Sequence, residues 1–108
     1  MTITMHLHDE PFQKIKNGKK KIEMRIKDEK RSKIKVGDTI EFENRKTKKI
    51  ISKIIINIYN YKNFEELIKN YNKEILGYNK EDNILEKLEI YYPKEEQEKF
   101  GVVAIELE

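Results

Sequence analysis

The stretch from Gly18 to Arg25, GKKKIEMR, has two readings, and the fold turns on which is right. One is a further lysine-rich patch on a lysine-rich surface. The other is a strand that carries a charged site into a cleft. From Lys20 to Ile26 the residues alternate. Ile22, Met24 and Ile26 fall on one face of an extended chain, and Lys21, Glu23 and Arg25 on the other. Lys20 has the opposite parity, but it follows Gly18, which suits a helix end, so alternation need not yet hold there.

Outward from this strand the chain divides into short elements. On the N-terminal side, ITMHLH (3–8) alternates and predicts a first strand. DEPFQKIKNG (9–18) predicts a short helix, with Asp9 or Glu10 as its cap, Pro11 in its first turn and Gly18 at its end. Phe12 and Ile15 give that helix a small apolar face. On the C-terminal side, KDEKRSKIKVGD (27–38) is a loop ending in a Gly37-Asp38 turn. TIEFEN (39–44) is a strand, RKTKK (45–49) a turn, and IISKIIINIYNY (50–61) a long strand, buried at least in part. NFEELIKNY (63–71) predicts a short helix capped by Asn63. KEDNILEKLEIYY (80–92) predicts a second, with Ile84, Leu85 and Leu88 at helical spacing. Pro93 opens a further turn through Gly101, and VVAIELE (102–108) is a last strand. There is no internal repeat and no linker, so residues 1–108 are expected to form a single domain. Strands dominate the first half and helices interrupt the second. That order predicts an α+β fold, a small mixed β-barrel with flanking helices, rather than a parallel βαβ sheet.

Composition sets the limits. Hydrophobic residues make up 37% and charged residues 40%, a balance that leans toward disorder. The net charge is only +3, and isoleucine and aromatic residues are plentiful, so a folded chain with a thin core is expected. There is no cysteine, which excludes disulfides and thiolate metal sites. The start MTITMHLHDE lacks a basic segment followed by an apolar run, and IIINIYNY (54–61) is too short to span a bilayer. A soluble, cytoplasmic protein without a membrane partner is expected, taken as a monomer. His6 and His8 share a strand face, but two ligands do not make a site, so no metal and no cofactor is expected. Lysine and arginine total 23, of which only Arg25, Arg31 and Arg45 are arginine. Where lysine is used so freely, an arginine marks a position that needs its planar fork of donors.

The stretch fits Gly-x-Lys-x-x-Glu-x-Arg through Gly18, Lys20, Glu23 and Arg25, and so resembles the signature of the ASCH domain, a relative of the PUA-like RNA-binding barrels. The likeness runs outward over PFQKIKNGKKKIEMRIKDEKRSKIKVGDTIEF (11–42), including Asp28, Lys30, Arg31 and the Gly37-Asp38 turn. It resumes at YYPKEEQEKFGVVAIELE (91–108). Small bacterial members are the most similar in kind. The resemblance implies a PUA-like barrel with a cleft lined by the signature strand, and RNA or a modified nucleoside as partner. Some members resemble amidohydrolases that remove the acetyl group from N4-acetylcytidine, and one branch behaves as a ribonuclease.

Residue chemistry agrees with such a pocket. Arginine donates to a phosphate or base carbonyl, glutamate accepts from an exocyclic amine, and lysine supplies charge or, if desolvated, a base. Lys20, Glu23, Arg25 and Arg31 are therefore the candidate binding residues, with Lys20 and Glu23 the candidate catalytic pair if the cleft hydrolyses its ligand. The plain alternative is a solvated strand face with a weak ion pair. The chain departs from the acetylcytidine-cleaving members in one respect. They carry threonine where this chain has Glu23, with a separate acid later in the sequence, for which Glu65, Glu66 and Glu74 are candidates here. Glu23 cannot replace a hydroxyl nucleophile, although it could activate water. Tyr59, Tyr61, Phe64, Tyr91 and Tyr92 lie among lysines and are divided between base stacking and core packing.

Overall fold

In a computed structural model describing residues 1–108, the alternating segments form five strands: β1 (Thr2–Leu7), β2 (Ile22–Ile26), β3 (Thr39–Asn44), β4 (Ile50–Tyr61) and β5 (Val102–Leu107). Four short helices join them: α1 (Asp9–Lys16), α2 (Phe64–Ile68), α3 (Ile84–Tyr91) and α4 (Lys94–Phe100). The sheet order is β1-β3-β4-β5-β2. Only β1 and β3 run parallel; the other pairs are antiparallel, with a register shift in β4 between Ile55 and Asn57. The sheet curls into a half-barrel, leaving β1 and β2 as its two unpaired edges.

Period-two burial divides the sheet between two cores. Ile3, Met5, Leu7, Ile40, Phe42, Ile55, Val103, Ile105 and Leu107 close on Phe12 and Ile15 of α1. On the opposite face Ile22, Met24, Ile26, Val102 and Ala104 pack on Phe64, Leu67, Leu76, Ile84 and Leu88. β5 contributes to both, so its first four residues are all buried. The expected apolar face of β2 is therefore one wall of the second core. Its charged face, through Glu23 opposite Ile105 and Arg25 opposite Val103, turns toward the first.

Several boundaries differ from the expectation. The residue at the N-cap of α1 is His8, without a side-chain cap; Asp9 instead accepts from Gln13 and from the buried Asn44. Asn63 caps α2 as expected, accepting from the Glu66 N–H, but that helix is short. The second predicted helix begins only after Asn83, whose side chain accepts from the Glu86 N–H. The segment after Pro93 is a helix and not a turn. Proline suits its start, and Gly101, at φ 73°, stops it. Its anchor is polar: Gln97, 2% exposed, accepts from the Phe64 N–H and donates to the Tyr92 carbonyl.

Candidate functional site

The signature strand begins where the loop after Gly18 straightens. The Lys21 and Ile22 N–H groups both donate to the Ile75 carbonyl, and the Lys20 N–H donates to the Lys14 carbonyl. Lys20 thus precedes β2 and is free of its alternation, and its side chain lies under the loop carrying Gly77. A Cβ on Gly77 would stand 2.6 Å from Lys20 Cδ, and Gly77 has φ +90°, so only glycine leaves room for the lysine stem there.

Beneath this loop Lys20 Nζ donates to Glu23 Oε1 at 2.8 Å. Arg25 donates to Glu23 Oε2 through Nε at 3.1 Å and Nη2 at 2.9 Å. Lys20 and Glu23 are 7% and 3% exposed, so the solvated strand face is overturned and the ion cluster is buried. Burial alone would push the Glu23 carboxyl up. The charges of Lys20 and Arg25, with their hydrogen bonds, outweigh it and hold the group down to about 2. Arg25 Nη2 also donates to the His6 carbonyl of β1 at 3.1 Å, and Lys30 Nζ to the Thr4 carbonyl at 2.9 Å. Arg25 thus reaches across the gap from β2 to β1 while it holds Glu23, and Lys30 reaches β1 from the loop after β2.

This cluster forms part of the wall of a cleft of about 280 Å³, lined also by His6, His8 and Pro11, by Arg45 after β3, by Gly77, Tyr78 and Asp82, and by Leu88, Tyr91 and Tyr92 from the α3 end. The cations Lys20, Arg25, Arg45 and Lys87 face the carboxylates Glu10, Glu23 and Asp82, so the lining is net positive. Glu10 and Asp82 are already paired, with Lys14 at 3.1 Å and Lys87 at 2.9 Å. Burial, and next the charge of Glu23, push the Tyr78 phenol up to about 12, so it stays neutral and available as a donor.

Of the residues singled out in the sequence, Lys20, Glu23 and Arg25 are brought together. Arg31 is not: it pairs with Asp28 at 2.8 Å, away from the cleft lining. Lys21, on the expected face, does not line the cleft either. Glu65, Glu66 and Glu74 are exposed and outside it; the acids it does contain, besides Glu23, are Glu10 and Asp82. Among the aromatics, Phe64 is core and packs against Tyr92, and Tyr61 hydrogen-bonds Tyr71. Tyr91, 63% exposed, stands at the cleft opposite His8, with ring centroids 6.3 Å apart. No three His, Cys, Asp or Glu side chains gather as a metal site would require. Gly77, Tyr78 and Asp82 were missed. The LGYN run (76–79) carries a turn signal, but nothing in it shows that the turn folds over Lys20.

Fold and site together define a small half-barrel domain with a buried Lys-Glu-Arg cluster in a basic, tyrosine-rimmed cleft. The ASCH domain family model matches residues 5–108, and the chain belongs to that family. The chain is also similar to two solved structures. The crystal structure of a hypothetical protein, PH0355, is 37% identical, with 100% of this chain and 98% of that one covered and a TM-score of 0.87. The solution structure of protein PF0455 from Pyrococcus furiosus is 35% identical, covering 100% and 96%, with a TM-score of 0.74. No curated protein matches the chain.

Proposed function

We propose that this chain is an RNA- or modified-nucleoside-binding ASCH domain of the wider PUA-like group, and that the cleft beside β2 receives the base. The observation that carries this reading is the buried Lys20-Glu23-Arg25 cluster in the cleft wall. Lys20 Nζ has Glu23 as its one hydrogen-bonded protein partner and so keeps N–H donors for a base carbonyl or phosphate, while the Arg25 guanidinium lies against the Tyr92 hydroxyl at the same cleft wall. Glu23 Oε1 accepts from Lys20 alone and keeps acceptor capacity toward an exocyclic amine. Tyr78, Tyr91 and Tyr92 offer aromatic faces and hydroxyls beside these groups. The volume lies near the lower end of the roughly 300–1,000 Å³ of small-molecule sites, which suits a single base better than a larger ligand.

The alternative, a hydrolase acting on acylated cytidine or on RNA in the same cleft, would use Lys20 and Glu23 as its catalytic pair. A carboxylate held down to about 2 and bonded to two cations has little tendency to take a proton from water near neutral pH. The site therefore favours binding. The test is to titrate the purified protein with cytidine, N4-acetylcytidine and single-stranded RNA by calorimetry, and to assay the same mixtures for products. Binding without turnover is expected. Arg25→Lys, which keeps the charge and loses the fork, should weaken binding by about 1–3 kcal/mol. Turnover by the wild type would transfer the assignment to the hydrolase. Unchanged affinity in Arg25→Lys would remove Arg25 from the site.

A further inference from the structure

We infer that the β3–β4 hairpin tip, residues 45–49, is the phosphate-contacting arm of this site, so that its ligand is a strand of RNA with one base in the cleft rather than a free nucleoside. This inference rests on the cleft reading above. The tip, RKTKK, carries four cations in five residues, and all five are exposed. None of the four is in an ion pair. The tip is continuous with the cleft, because Arg45 lines it.

Unpaired lysines are common on this surface, and three further features separate the tip from them. The first is rigidity. The fully buried Asn44 accepts at Oδ1 from the Lys46 and Thr47 N–H groups at 2.8 and 3.2 Å, and donates from Nδ2 to Asp9 at 2.9 Å. The Arg45 N–H donates to the Leu7 carbonyl at 2.8 Å. The tip is thereby fixed to the end of β1 and the start of α1, which are also the cleft rim. The second is strain. Lys48 has φ 66°, and no other non-glycine residue of the chain has a positive φ. Local turn chemistry favours glycine or asparagine there. A lysine at a position that costs conformational energy is the kind of outlier from which a functional role is inferred. The third is extent. A spread of four cations exceeds what one phosphate can neutralise, whereas successive phosphates of a strand leaving the cleft would meet them in turn.

The test uses the intact chain and three probes: cytidine, cytidine 5′-monophosphate and a fluorescein-labelled single-stranded oligocytidylate, the last followed by anisotropy from low to near-physiological salt. The triple variant Lys46→Gln, Lys48→Gln, Lys49→Gln removes tip charge without touching the residues that line the cleft. It is expected to bind cytidine as the wild type does. For the oligomer, the slope of log affinity against log salt should become shallower by about 2, from three phosphate contacts at about 0.7 each. Lys48→Gly, which relieves the strained φ, should keep or raise the melting temperature while losing about 0.7 of slope, so a loss of binding cannot be ascribed to unfolding. A control triple, Lys62→Gln, Lys94→Gln and Lys99→Gln, takes exposed lysines away from the cleft and should leave the slope unchanged. Equal losses in both triples, or a wild-type slope in the tip triple, would overturn the inference while leaving the cleft reading intact. So would a monophosphate that binds as tightly as the oligomer. A wild type that binds neither cytidine nor the oligomer would overturn both.

Discussion

At the scale of single residues, the site depends on one carboxylate. Two cations below a cleft surface are tolerated because Glu23 offsets one of their charges and accepts three hydrogen bonds from them. Glu23→Gln leaves Lys20 and Arg25 buried without a counter-charge, and breaking such a cluster costs about 3–5 kcal/mol. Urea unfolding of the variant at neutral pH is the measurement, and a change near zero would show the cluster to be solvated. The same carboxylate sets an acid limit. Its folded value lies below its ordinary 4.5, at about 2, so its contribution is complete above about pH 4.5 and is lost as the pH falls toward 2. That contribution is on the order of 3 kcal/mol and should be missing from the pH dependence of Glu23→Gln. The sequence made Glu23 and Arg25 legible as a pair on one strand face through their spacing. It did not make their burial legible, because the groups beside them come from distant parts of the chain: Tyr78 beside Glu23, and the His6 carbonyl and Tyr92 beside Arg25.

At the scale of elements, polar anchors do what apolar spacing normally does, and these are the elements the sequence concealed. α4 has no apolar stripe. Its buried residue is Gln97, which serves the first N–H of α2 and the last residue before Pro93. Gln97→Met should keep the volume but leave the Phe64 N–H unsatisfied, at about 1–3 kcal/mol, with hydrogen exchange rising first in α2 and α4. Exchange that rises evenly over the sheet would contradict this role. Strands were easier to read than helices, because Ile22, Met24 and Ile26, like Ile3, Met5 and Leu7, bury one face at period two. β4 is the exception. It is long and apolar, yet Ile50, Ile54 and Ile56 are exposed, so its composition overstated its burial.

At the scale of the whole molecule, the half-barrel and its site form one arrangement. β5 divides the two cores, β2 presents its apolar face to one and its charged face to the other, and the gap left between β1 and β2 is where the cleft opens. The α+β order and the barrel-like curl were legible in the alternation of strands and helices. The open seam was not, since nothing local states which edges remain unpaired. No helix is long and apolar enough to cross a membrane. The proposed binding function places a base beside Lys20, Glu23 and Arg25. The most direct measurement is a titration of isotopically labelled protein with cytidine, and then with N4-acetylcytidine, followed by backbone and side-chain NMR shifts. Saturable shifts confined to Lys20, Glu23, Arg25, Tyr78, Tyr91 and Tyr92 are expected, with the Arg25 guanidinium resonances among the largest. Shifts absent from this set, or centred on another face of the sheet, would contradict that placement.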